Sequence, residues 1–271
     1  MPSFRGINNE RHFGDERTTQ LRRESEGVKR RFAQDPNGGV ATSVFVSYRY
    51  LGFALLYHRD PAWRAAFQES GEAWVEGAEM GLKAGDGPGA WCTSVAEALS
   101  NCVLAGADDL MREVSECYKG LYLARHGGLL NETHKGYGFL SLVLCLMVDG
   151  SLEDLRGIPT NDIIYAARYD PDPSRKAIPR LVRTLVTNEG SFPAETEATL
   201  AGWVKRGKSV HYPLCDIAFL SYWLCRRRSL HFDLPKDLNL AGWVAYPPLV
   251  EESAVLLGAS RGRLSKKGQG P

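Results

Sequence analysis

Apolar residues recur along the first half of this chain at steps of three and four, the spacing that gathers side chains on one face of a helix. Val44, Tyr48, Leu51 and Leu55 form one such stripe. Trp63, Phe67, Trp74 and Met80 mark the next helix, and Trp91 to Leu104 reads as another, with Val95, Leu99, Cys102 and Val103 on one face. Leu110, Val114, Cys117 and Leu121 continue the rhythm. Very few segments alternate with period two, as half-buried strands do. The pattern predicts an all-α fold.

Turn residues punctuate the stripes where helices should end. A charged helix over roughly 16–34 stops at Pro36-Asn37-Gly38-Gly39. Asp60-Pro61 reads as a cap with proline at the first helical position. Gly81 to Gly89 ends the helix that follows, and Ala105-Gly106-Ala107-Asp108 is a tight turn. His126-Gly127-Gly128 closes the next helix, and a third round runs through Phe139–Val148 to a turn at Asp149-Gly150-Ser151. Turns near 59, 106 and 150 recur about every 45 residues, within the range of two-helix repeats. Stacked antiparallel helical hairpins, a repeat-like array, are the expected architecture.

Beyond Pro159 the rhythm changes. The segment YDPDPSRKAIPR carries Pro171, Pro173 and Pro179 and reads as an ordered loop. Short helices are expected over 181–186 and 194–206, then an apolar one from His211 to Arg226 that ends in Arg226-Arg227-Arg228, charges suited to a helix C-terminus. Residues 1–15 are expected to be a loose arm, 16–258 one helical domain, and 259–271 a disordered basic tail.

Composition narrows the function classes. Thirty-three Lys and Arg against 32 Asp and Glu leave a net charge of +1, so no general affinity for nucleic acid is expected. The opening residues are polar with no apolar signal region, and the ten-residue run 139–148 is shorter than the roughly 18 residues a membrane span needs. Six scattered cysteines (92, 102, 117, 145, 215, 225) without a CxxC pair fit reduced structural thiols. Together these features predict a cytoplasmic protein that makes no membrane contact.

The search for chemistry yields no catalytic set. His58-Arg59-Asp60 resembles a kinase catalytic loop, but the downstream Asn, glycine-rich loop and lysine strand are missing, so Asp60 is read as a helix cap. Gly85-Asp86-Gly87-Pro88-Gly89 has neither a strand before it nor a GK[ST] after it. His126 and His134 lack zinc spacing, and Cys92 lacks an identifiable partner, so neither metal nor cofactor is expected. Lys205, Arg206, Lys208 and Arg226–Arg228 make the densest basic region.

The C-terminal third, PLCDIAFLSYWLCRR followed by SLHFDLP and KDLNLAGW, resembles the end of the immunity-49 family of bacterial immunity proteins. The N-terminal half is similar in layout: Arg11-His12, a Pro-Asn-Gly-Gly turn, then helical pairs bearing Trp. The tail after Trp243 is longer and more basic than the family's. The resemblance implies a non-catalytic protein that neutralises a cognate toxin by direct binding, and brings no catalytic residues with it. The expected partner contacts are the proline-rich loop (Tyr169, Asp170, Asp172 and Arg175) and the basic cluster Arg226, Arg227 and Arg228. Two other readings stand beside it: a helical-repeat scaffold that holds a host protein or peptide, and an α-helical enzyme whose site the sequence does not reveal. Self-association is open under each.

Overall fold

The computed structural model describes residues 13–58, 60–85, 91, 94–126, 141–142, 144–146 and 148. These are almost wholly helical, with no strand among them, so the chain is all-α as far as it is described. Five helices follow in order: α1 (Asp15–Gln34), α2 (Gly38–Tyr57), α3 (Trp63–Ala84), α4 (Val95–Ala105) and α5 (Asp108–His126). Each packs against the next, and α3 also meets α5, which puts α3 at the centre.

The boundaries follow local chemistry. Asp15 and Glu16 open α1 and Arg31 lies in its last turn, charges that complement the two ends of the helix dipole. Asn37 caps α2, its Oδ1 accepting the Val40 N–H at 3.1 Å. The Pro-Asn-Gly-Gly cluster therefore ends one helix and starts another. Gly85 and Gly106 end α3 and α4 with φ of 78° and 71°, left-handed geometry that a side chain would strain. After Gly106 the Ala107 N–H wraps back to the Cys102 carbonyl at 3.0 Å.

Two starts differ from the sequence expectation. Asp60-Pro61 does not open α3, which begins at Trp63. The Asp60 carboxylate instead closes a turn by accepting the Ala62 N–H at 2.9 Å and takes Arg22 of α1 at 2.5 Å. Trp91 likewise precedes α4; its carbonyl accepts the N–H groups of Ser94 and Val95 at 3.1 Å in a turn. At the other end, Phe13 lies in the segment expected to be a loose arm, yet it is 4% exposed in the same core cluster as Leu21, Leu51, Phe53 and Trp63.

Aromatic rings against glycines bring α2 and α3 together. Phe67 meets Phe53 edge-on at 4.9 Å, and its ring lies so close to Gly52 that a Cβ there would meet it at 2.8 Å. Trp91 covers Gly77 in the same way, at 2.8 Å from a would-be Cβ, and meets Trp74 at 5.8 Å. Trp74 donates to Ser94 Oγ at 2.8 Å, which pins the turn before α4 onto α3. By length and composition Gly38–Leu56 could cross a membrane, but more than half of it is buried inside the fold. Its hydroxyls bond to their own helix, as in Thr42 Oγ1 to the Gly38 carbonyl at 2.9 Å.

A buried polar chain crosses the helices. Asn101 of α4 donates to Ser70 Oγ of α3 at 3.0 Å, and Ser70 donates to the Phe45 carbonyl of α2 at 2.6 Å. Arg49 of α2, its side chain 8% exposed, pairs with Glu97 of α4. Beyond α5, the described residues of 141–148 are helical, and Ser115 donates to the Cys145 carbonyl at 3.0 Å. Leu144 and Cys145 are fully buried, so the packing continues past α5.

Candidate functional site

A row of four carboxylates lies along the outer side of α3. Glu69, Glu72, Glu76 and Glu79 are spaced three, four and three apart, which sets them along one ridge. Trp63, Phe67, Ser70, Trp74 and Ala78 occupy the opposite, buried face of the same helix. The apolar stripe that anchors α3 thereby fixes the direction in which the carboxylates point.

The ridge is partly compensated at its ends. Lys29 of α1 pairs with Glu69, and Lys83 lies 3.9 Å from Glu79 with both groups well exposed. Such exposed pairs add little to stability. Among the described residues no cation pairs with Glu72 or Glu76. Loss of solvent raises the Glu76 carboxyl above its ordinary range, and the negative charges of Glu72, Glu69 and Glu79 push it the same way. The Glu69 hydrogen bond and charge raise the Lys29 ammonium despite its partial burial. Glu113 and Glu116 of α5 are exposed as well; Lys119 pairs with Glu116 at 2.7 Å, whereas Arg112 pairs with Asp109 at 3.1 Å.

Reactive groups on the described helices are shielded. Burial pushes the Cys102 thiol far up, with smaller pushes from Glu113 and Glu72. The Cys117 thiol is raised to about 11 by burial first and by Glu79 second. Tyr122 is raised to about 12 by burial. A thiol held protonated is a poor nucleophile and a poor metal ligand, so these cysteines act as core residues. No group of three or more His, Cys, Asp or Glu able to hold a metal occurs among the described residues.

Of the residues singled out from the sequence, Tyr169, Asp170, Asp172, Arg175 and Arg226–Arg228 lie outside the described residues, as do Cys92 and His134. The acidic ridge was not anticipated, although its signal stands in the sequence: Glu at 69, 72, 76 and 79 beside an aromatic stripe of the same period. No protein-family model, curated protein or solved structure matches this chain.

Proposed function

We propose that this protein is a non-catalytic immunity protein that binds and blocks a cognate toxin in the cytoplasm. The reading starts from the resemblance of the C-terminal third to the immunity-49 family. The observation that carries it further is the α3 ridge. A rigid helix, seated by Trp63, Phe67 and Trp74, holds carboxylates outward, with Glu72 and Glu76 in no ion pair among the described residues. Fixed charges on a rigid element favour recognition of a basic protein surface, because little ordering is lost on binding and encounter is steered by charge. The proline-rich loop from Tyr169 to Arg175 and the Arg226–Arg228 cluster are proposed as further contacts on the same partner.

A growth-rescue experiment tests the reading. The toxin-like gene nearest to this one is expressed alone and with this protein. Rescue of growth, together with co-purification of the two products, supports neutralisation by binding. Failure of both removes the immunity reading and leaves the helical scaffold for a host protein or peptide as the alternative, supported by the paired helices around α3.

A further inference from the structure

We propose that Asn37 is a self-modification site, where the Gly38 nitrogen closes on the Asn37 side chain and converts it to aspartyl and isoaspartyl forms. Asn37-Gly38 is the one Asn-Gly pair in the sequence; none of the other seven asparagines is followed by glycine. Asn37 is exposed and Gly38 half-buried in the turn between α1 and α2. Gly38 is the first residue of α2, so its N–H lies ahead of the helix's own hydrogen-bond ladder, and it donates to no group among the described residues. With no side chain on Gly38, the nitrogen approaches the neighbouring amide unhindered.

The reaction is an acyl substitution within the chain and involves no change of oxidation state. The Gly38 nitrogen bonds to Asn37 Cγ, the Cγ–Nδ2 bond breaks, and the Gly38 proton leaves with the amide nitrogen as ammonia. Water then opens the five-membered succinimide. Hydrolysis at Cγ gives aspartate. Hydrolysis at the main-chain carbonyl carbon gives isoaspartate, whose main chain runs through Cγ and is one methylene longer.

The helix cap sets the pace. Asn37 Oδ1 accepts the Val40 N–H at 3.1 Å, and Nδ2 donates to the Asp35 carbonyl at 3.2 Å and to Asp35 Oδ2 at 3.3 Å. At the Asn37 ψ of 159° the Gly38 nitrogen stands out of the plane that the succinimide ring requires. Ring closure therefore waits until the side chain leaves the cap and the main chain turns. Each product then alters the turn. Aspartate keeps an oxygen for Val40 but loses the amide donor, and sets a second carboxylate beside Asp35. Isoaspartate lengthens the main chain in the short connection between α1 and α2.

Peptide mass spectrometry of the full chain, incubated in mildly alkaline buffer with and without guanidinium chloride, follows the amide-to-acid mass gain at every asparagine. Asn37 should convert ahead of all the others. It should convert about two- to thirtyfold more slowly in the folded chain than in the denatured one, the factor to which typical helix-cap energies correspond. Gly38→Ala fits the fold, because its Cβ would meet Gly77 O and Trp91 Cζ2 at 3.9 Å, an ordinary contact. It should slow the conversion at least about tenfold, in the denatured chain as well as in the folded one. The proposal is overturned if the folded chain leaves Asn37 intact while the denatured chain converts it. Conversion of another asparagine as fast as Asn37, equal rates in the folded and denatured chains, or a rate unchanged by Gly38→Ala overturns it too.

Discussion

Replacing Ser70 with alanine severs the buried hydrogen-bonded route that runs from α4 through α3 to α2. The Ser70 hydroxyl donates to the Phe45 carbonyl at 2.6 Å and accepts from Asn101 Nδ2 at 3.0 Å, with Ser70 and Asn101 both fully buried. Loss of the donated bond costs about 1 kcal/mol, because Phe45 keeps its place in the α2 ladder. Loss of the acceptor strands a buried amide N–H, which costs about 1–3 kcal/mol more. Asn101 Oδ1 already lacks a hydrogen-bond partner, so the amide has no second bond to fall back on. The expected loss is therefore about 2–4 kcal/mol, or roughly 5–12 °C in Tm for a chain of this size. Asn101→Leu behaves differently. It removes both the donor and the unpartnered oxygen while Ser70 keeps Phe45, so it should cost no more than about 1 kcal/mol. The double variant should recover most of what Ser70→Ala loses, since no orphaned amide remains. Urea unfolding followed by far-ultraviolet circular dichroism measures all three and closes the double-mutant cycle. A Ser70→Ala protein within about 0.5 kcal/mol of the parent refutes the reasoning, as does a double variant no more stable than Ser70→Ala.

Three further outcomes are expected. Gly77→Ala places a methyl 2.8 Å from Trp91 and 2.9 Å from Ala41 Cβ and should destabilise by about 1–2 kcal/mol, whereas Gly27→Ala, with no neighbour within 4 Å, should stabilise by about 0.5–1 kcal/mol; thermal melts compare them. Glu97→Gln removes the carboxylate that pairs with the buried Arg49 guanidinium and should cost about 2 kcal/mol, more than Arg49→Met, which removes the buried charge itself; the order of the two midpoints in urea checks this. Cys117 and Tyr122 are raised to about 11 and about 12, so between the unfolded-state values and these the folded state binds more protons than the unfolded one. Stability should then fall as pH rises from about 9, by an amount that Cys117→Ala reduces, as urea midpoints over an alkaline series would show.

Periodicity made the helices legible because each buries a stripe of its own. Leu99, Val114 and Leu121, marked as buried by spacing alone, are fully buried. Gly106 was legible as a turn because only a residue without Cβ takes its positive φ cheaply. The start of α3 was not, because Asp60 answers to Arg22 on a distant helix as well as to its own backbone. Trp91 looked like the first residue of an apolar helix, yet its ring is spent on Gly77 and Trp74 of α3. The bonds joining Asn101, Ser70 and Phe45, and the pair of Arg49 with Glu97, depend on how helices meet, which local spacing does not encode. The acidic ridge was open to a reading of spacing, but nothing local distinguishes four outward carboxylates from a solvated face until α1 and the buried side of α3 are placed around them.

The account turns on a fixed helical surface that binds one protein partner without chemistry. Isothermal titration of the full chain with the purified product of the neighbouring toxin-like gene tests it most directly, in parallel with a protein carrying Glu72→Lys, Glu76→Lys and Glu79→Lys. The account predicts saturable binding by the parent, and binding at least about tenfold weaker, with a flatter salt dependence, after charge reversal. Absence of binding by the folded parent, or affinity unchanged by reversal of the ridge, would contradict it.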